Sequence, residues 1–147
     1  MFKKRLAILL VLAGLAALVL AACAQSSAPG ASNPQAPGAI TIVQNYYAAI
    51  KANQLDIVMS FYADDALLTT PQGKYQGKAA IRPYMKSLLD QGYYSENSNY
   101  RESSGEVRYD YKVYLGSALV DQNNDGLTIV KNGKIVFDGL ESHKPST

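Results

Sequence analysis

Hydrophobic residues recur at helical spacing in three stretches after residue 38, and each stretch predicts an amphipathic helix. The predicted inner face of the first helix consists of Ile40, Val43, Tyr47 and Ile50. That of the second, shorter helix consists of Leu55, Val58, Met59 and Tyr62. That of the third helix consists of Ile81, Tyr84, Met85, Leu88 and Leu89.

Polar residues, glycine and proline predict where these helices begin and end. Asn53 is suited to cap the second helix, with Asp56 three residues further on. The third helix is predicted over about residues 78–90, with Gly92 as its C-terminal cap. Because Pro83 would kink a helix beyond its first turn, the expected start lies nearer Ala80.

The following region alternates with a period of two residues, which is typical of strands. In the clearest run, residues 107–115, apolar and tyrosine side chains share one face, and the opposite face carries Arg108, Asp110 and Lys112. A weaker strand is predicted over residues 94–102. A short strand over residues 66–70 precedes the third helix and ends at the turn signal Pro-Gln-Gly.

Two further strands, residues 127–131 and 134–139, are joined by Asn132-Gly133. This dipeptide predicts a hairpin, because both residues tolerate positive φ. Helices followed by a run of antiparallel strands predict an α+β fold, in which the N-terminal helices pack on one face of a bent sheet.

The first 22 residues have the features of a secretory signal segment. Basic residues at positions 3–5 precede an uncharged apolar stretch, and small residues then lead to Cys23, the only cysteine. The sequence Leu-Ala-Ala-Cys resembles a bacterial lipobox, which implies cleavage before Cys23 and attachment of lipid to it. An uncleaved membrane helix is the alternative, but residues 6–22 are only 17 residues long and no basic flank follows.

The remaining chain divides into a flexible tether (23–38), one domain (39–141) and a polar tail (142–147). Residues 24–38 contain no charged or aromatic side chain and cannot bury enough surface to fold. The predicted protein is therefore exported to the cell envelope and anchored to a membrane through the lipid on Cys23.

Without the signal segment the chain has 11 basic and 12 acidic residues, so its formal charge is −1. This balance predicts no nucleic-acid partner, which would require a clustered basic surface. A lipidated Cys23 leaves no thiol for a disulfide, and His143 is the only histidine. We therefore expect neither a zinc site nor a His/Cys nucleophile, and we predict no cofactor.

Three segments carry a family resemblance: Tyr46–Asn53, the sequence Phe-Tyr-Ala-Asp-Asp-Ala at 61–66, and Gly-Lys-Ala-Ala-Ile-Arg at 77–82. Together with Pro71, Gly73 and the last hairpin, they resemble the SnoaL-like branch of the nuclear-transport-factor-2-like (NTF2-like) superfamily. The resemblance implies a cone-shaped fold with a pocket at its open end and a possible homodimer through the sheet. The scaffold hosts both enzymes and binding modules, so function does not follow from it.

Ketosteroid isomerases are the best-known catalytic members that resemble this chain. The resemblance places Tyr46 at the position of their oxyanion-binding tyrosine and Thr70 at the position of their catalytic carboxylate. Because a threonine hydroxyl cannot act as a general base near neutral pH, isomerase activity is not expected. Tyr46 and Asp138, which would point inward if Val136 and Leu140 do, remain weak catalytic candidates.

The other carboxylates are better explained by structural roles. Asp64 and Asp65 are expected in a turn, and Asp110 on a solvated or dimer-facing strand surface. The sequence Asp-Gln-Asn-Asn-Asp-Gly at 121–126 matches the first half of a calcium loop, but position twelve is Asn132 where a glutamate is needed. A polar turn between two strands is the favoured interpretation.

The chain contains 11 tyrosines against three phenylalanines and no tryptophan. Tyrosines on inward faces suit either a pocket for an amphipathic small molecule or a core with a wet end, and periodicity does not separate the two. The predicted ligand-binding residues are Tyr46, Tyr62, Thr70, Tyr84, Tyr109 and Tyr111.

Three functional hypotheses follow. The first is a lipid-anchored, non-catalytic module that binds a small, partly apolar ligand. The second is an isomerase- or cyclase-type enzyme that uses Tyr46 and Asp138. The third is an interaction module that dimerises through its polar sheet face, around Arg108.

Overall fold

The computed structural model describes residues 37–145, so Cys23, the signal segment and most of the tether lie outside the described residues. Three α-helices are present: α1 (Ala39–Lys51), α2 (Leu55–Phe61) and α3 (Lys78–Asp90). No helix within this range is long and apolar enough to cross a membrane.

Six strands form a single sheet. They are β1 (Tyr62–Thr70), β2 (Gly73–Gln76), β3 (Tyr93–Ser103), β4 (Glu106–Leu115), β5 (Ala118–Lys131) and β6 (Lys134–Leu140). Their order across the sheet is β2-β1-β6-β5-β4-β3. The β1–β6 pair is parallel and the other pairs are antiparallel, so the sheet is mixed. A 3₁₀ turn, Glu141–His143, follows β6.

The helices pack on one face of this sheet, which confirms the predicted α+β fold. Fully buried aliphatic side chains from both layers meet in one core: Val43, Val58, Ile81, Val107 and Ile135. Burial of each contributes about 1.5–3 kcal/mol, so this shared core accounts for the packing of helices on sheet. Every one of these residues except Ile135 belongs to a predicted helix face or strand face.

Most predicted elements are present. The Asn132-Gly133 hairpin forms with positive φ at both residues, 51° and 74°. Gly92 also has positive φ and follows α3, where its amide donates to the carbonyl of Leu89. The expected strand over residues 94–102 is the core of β3.

The predicted helix boundaries at Asn53 and Ala80 are wrong. Asn53 ends α1: it has φ 54°, its amide donates to Ile50, and the Gln54 amide donates to Ala49. These two bonds form a Schellman motif, which an asparagine in the left-handed region can complete. Helix α3 begins at Lys78 and contains Pro83. Proline has no N–H to pair with the carbonyl one turn earlier, but Pro83 lies on the exposed side of the helix, where water can bind that carbonyl.

Several strands are longer than predicted, and the turn expected over 121–126 is wrong. Those residues lie within β5, where Asp121, Gln122 and Asn123 pair with Val113, Lys112 and Tyr111 of β4. The sequence predicts a turn here because this end of β5 is polar. Its side chains are exposed on both faces, so the strand shows no hydrophobic alternation. The extended backbone of residues 121–126 also differs from an EF-hand loop, in which the backbone folds around the calcium ion.

Candidate active or binding site

A cavity of about 660 Å³, partly open to solvent, lies between the helices and the sheet. Its walls come from α1, α3 and all the strands except β2. Seven of the 25 lining residues are tyrosines: Tyr46, Tyr47, Tyr84, Tyr93, Tyr94, Tyr109 and Tyr111. The others include Ile50, Leu68, Met85, Leu88 and Val113. An apolar wall with interspersed hydroxyl groups suits a small amphipathic molecule.

At the inner end of the cavity lies the carboxyl group of Asp138, which is 4% exposed. Tyr46 donates to its Oδ2 at 2.7 Å, and Tyr62 to the same oxygen at 3.0 Å. Thr128 donates to Oδ1 at 2.8 Å. Three hydroxyl groups from α1, β1 and β5 therefore satisfy one buried carboxyl.

Two further tyrosines of the cavity wall extend this arrangement. The hydroxyls of Tyr47 and Tyr109 are 2.7 Å apart, and each lies 3.4 Å from Oδ1 of Asp138. The Tyr109 hydroxyl also lies 3.0 Å from that of Thr128. We call Tyr46, Tyr47, Tyr62, Tyr109 and Thr128 the hydroxyl shell of Asp138.

The sheet register explains how these groups meet. Asp138 on β6 is the neighbour of Thr128 on β5 and of Leu68 on β1. Gly126 provides room for the Tyr109 ring, because a Cβ at that position would lie 2.4 Å from Tyr109 Cε2. Helix α1 places Tyr46 above this part of the sheet, where its ring contacts Tyr62 edge to face with centroids 5.4 Å apart.

Burial raises the pKa of the Asp138 carboxyl, and the hydrogen bonds from Tyr46 and Thr128, followed by those from Tyr62 and Tyr47, oppose the rise. Burial is also the largest cause that raises the pKa of the four shell tyrosines well above the usual value, followed by the charge of Asp138. These hydroxyls therefore remain protonated near neutral pH and act as hydrogen-bond donors.

The predicted site residues fall into three groups. Tyr46 and Asp138 are in direct contact, and Tyr109 joins them at the cavity wall. Tyr62 belongs to the hydroxyl shell but does not line the cavity. The remaining three line the cavity away from Asp138: Thr70, Tyr84 and Tyr111.

Thr70 has a structural contact in addition to its place on the wall. Its hydroxyl accepts from the Gln72 amide at 3.2 Å and donates to the Gly73 carbonyl at 3.3 Å. These bonds close the β1–β2 turn.

At Tyr111, burial and then the nearby Asp121 raise the pKa of the hydroxyl to about 12.

Sequence reasoning missed Tyr47 and Thr128. Tyr47 lies on the predicted hydrophobic face of the first helix. This is the signal that could have identified it as a site residue, since a tyrosine on such a face carries its hydroxyl inward. Thr128 could be recognised only from its pairing with Asp138, which depends on the hairpin register.

Three of the other carboxylates considered from sequence, Asp64, Asp65 and Asp110, do not line this cavity. Asp64 pairs with Lys78 at 3.0 Å and is 95% exposed. Asp64 and Asp65 belong to β1 and not to a turn. Asp110 of β4 accepts a hydrogen bond from the Asn99 side chain of β3 at 2.5 Å.

Comparison with known proteins agrees with the fold of this domain. Residues 43–113 match the model of the SnoaL-like domain. The matched segment runs from helix α1 to strand β4, so this part of the chain is similar to SnoaL-like domains. No curated protein matched the chain in sequence.

Solved structures show the same NTF2-like fold. An NTF2-like protein of unknown function from Cytophaga hutchinsonii aligns with a TM-score of 0.58 at 13% identity, covering 67% of this chain and 84% of that one. A cystatin-fold protein from Novosphingobium aromaticivorans gives 0.58 at 18% identity, covering 69% and 95%. An LEH-like epoxide hydrolase from M. tuberculosis gives 0.58 at 17% identity, covering 67% and 77%. At these identities the likeness concerns the fold alone.

Proposed function

We propose that this SnoaL-like domain binds a small, partly apolar molecule in its cavity without transforming it. The observation that supports this most is the cavity of about 660 Å³, because its wall is largely apolar and aromatic and the buried Asp138, with its hydroxyl shell, lies at one end. A ligand with an apolar body and one polar head would match both parts. The site residues would be Tyr46, Thr70, Tyr84, Tyr109 and Tyr111, with Tyr62 supporting Asp138.

Native mass spectrometry of the mature protein, extracted from its own cells in mild detergent, tests the proposal. We expect an added small-molecule mass. Leu88→Trp, which puts a large side chain into the cavity wall, should remove that mass, whereas Ala79→Trp on the exposed face of α3 should retain it. A bare protein mass in all three samples would count against the proposal.

An enzyme is the second candidate, and the contact between Tyr46 and Asp138 is what favours it. A helix-borne tyrosine that donates to a buried carboxyl is the pair of polar groups that such an enzyme would use. The position of the isomerase base is occupied by Thr70, whose hydroxyl closes a turn. Epoxide hydrolase is the printed activity of one structural neighbour, but similarity of fold does not transfer it.

The two candidates separate on turnover. Incubation of the isolated ligand with the wild-type protein and with Asp138→Asn should leave the ligand mass and structure unchanged if the domain only binds. Conversion by the wild type that the variant abolishes would establish the enzyme instead.

The lipid anchor and the location in the cell envelope also stay proposals, supported by the signal segment and the Leu-Ala-Ala-Cys sequence that ends at Cys23. Growth of the producing cells with an alkyne-tagged fatty acid should label the wild-type protein and leave Cys23→Ser unlabelled. Equal labelling of both would exclude Cys23 as the lipidated residue.

A further inference from the structure

The cavity carries acidic groups without basic ones. Of the residues that the structure describes, its lining includes the carboxyl groups of Asp138 and Asp121, and it includes no lysine, arginine or histidine. Asp138 is at the buried inner end, and Asp121 is an exposed residue of β5. A ligand that enters therefore meets a carboxyl group at two depths and, among the described lining residues, no positive side chain.

This distribution of charge discriminates between ligands. A carboxylate or phosphate would lose its hydration on entry and gain no cationic partner from the described lining, which is unfavourable for a buried anion. An ammonium group would instead meet Asp138 at the inner end. Its proximity would also favour the ionised form of that carboxyl, opposing the effect of burial.

The directions of the hydrogen bonds favour the same class of ligand. When Asp138 is ionised, Tyr46 and Tyr62 direct their protons at Oδ2, whereas Oδ1 has only Thr128 as a close donor. A carboxylate oxygen can accept two hydrogen bonds, so Oδ1 retains room for another donor. The contacts from Tyr47 and Tyr109 to that oxygen are long, at 3.4 Å.

The aromatic lining adds a third feature. The faces of tyrosine rings attract cations. With seven residues, tyrosine is the most frequent side chain among the described residues of the cavity wall. The chain already contains one such contact beside the cavity, where the Lys51 ammonium lies 5.1 Å from the centroid of the Tyr94 ring.

We propose that the cavity selects organic amines, in which an apolar body carries an ammonium group that reaches Asp138, over molecules with a carboxylate or phosphate head. This inference rests on the proposed ligand-binding function and specifies the chemical class of the ligand. It makes Asp138 the residue that determines specificity for the head group.

Three probes with one apolar body and different heads test the inference: 4-phenylbutylamine, 4-phenylbutanol and 4-phenylbutyrate. Each is titrated by calorimetry into the full chain as cells produce it, in mild detergent, with protein-free detergent as the blank. We expect the amine to bind at least about tenfold more tightly than the butyrate, with the alcohol between them.

Two variants attribute the preference to its source. Asp138→Asn should weaken amine binding about tenfold or more while changing alcohol binding by less than about threefold, so that the alcohol reports an intact cavity. Asp65→Asn is the matched control, because Asp65 is an exposed residue of β1 that does not line the cavity, and it should change amine binding by less than about threefold.

The outcomes separate this inference from the proposed function. Binding of the alcohol and butyrate as tightly as the amine would overturn the amine preference and leave the ligand-binding function in place. Amine binding that Asp138→Asn leaves unchanged would overturn the role of Asp138. No binding by any probe at millimolar concentration, together with a bare native mass, would overturn both.

Discussion

Burial of a carboxyl is unfavourable unless hydrogen bonds compensate for its lost hydration, and in this domain side-chain hydroxyls supply those hydrogen bonds. Asp138 has three close hydroxyl donors and two distant ones, all from different positions on α1, β1, β4 and β5. No lysine or arginine is among these partners, so burial still raises the pKa of the carboxyl. Two effects at this site can therefore be measured. One is the pH dependence of stability that the Asp138 carboxyl causes, and the other is the stability that the hydroxyl shell contributes.

The raised pKa of Asp138 sets the sign of its effect on stability. Between the unfolded pKa of about 3.9 and the higher folded pKa, the folded state binds more protons, so stability falls as pH rises. The contribution is complete below the unfolded pKa and is lost as pH rises through the folded pKa. In urea denaturation from about pH 4 to pH 8, Asp138→Asn should gain stability relative to the wild type as pH rises. A difference that stays constant with pH would contradict the raised pKa.

Thr128 should matter to stability through its hydroxyl. Thr128→Val keeps the shape of the side chain but removes the donor to Asp138 and a partner of Tyr109, so we expect a loss of about 1–3 kcal/mol in the free energy of unfolding. Thr69→Val is the matched control, because the equally buried Thr69 hydroxyl has no hydrogen-bond partner among the described residues. Urea denaturation should show the smaller loss for Thr69→Val, and equal losses would mean that the hydroxyl shell contributes nothing beyond packing.

Elements whose signal is local were predictable from sequence, and elements that depend on distant partners were not. Helical spacing located α1 and α3, and Asn132-Gly133 located the last hairpin. The parallel pairing of β1 with β6 joins residues about 70 positions apart, so no local pattern reports it. The polar end of β5 is held by its pairing with β4, which overrides its composition.

The end of α1 offers a test at the scale of one element. Asn53 holds φ 54° in the Schellman motif, a conformation that costs an ordinary residue about 1–2 kcal/mol. Asn53→Ala should therefore lower the free energy of unfolding by about 1 kcal/mol, whereas Asn53→Gly should leave it unchanged or higher. Thermal unfolding followed by circular dichroism compares the two variants. Equal melting temperatures would show that the left-handed conformation is not required there.

The candidate site exists only at the scale of the whole domain. Sequence could place Tyr46, Tyr62 and Tyr109 on inward faces, but not around one carboxyl, because their convergence depends on how α1 lies across the curved sheet. A test of dimerisation through the polar sheet face must also take the whole domain into account. Arg108 pairs within the chain with Glu106 at 2.9 Å and Glu141 at 2.8 Å, so Arg108→Glu would disturb the fold as well as any sheet interface.

The proposed anchor and the proposed cavity should be separable, because every described residue that lines the cavity lies between positions 46 and 140. Replacing residues 1–22 with a signal that yields a non-lipidated protein, together with Cys23→Ser, should move the protein to the soluble fraction. Its melting temperature and the ligand mass it retains should match those of the membrane-bound form. Release with the ligand lost would mean that the membrane supplies the ligand or that residues before position 37 complete the site. Retention of the ligand would place recognition within the domain, and the lipid would then determine only where in the cell that recognition occurs.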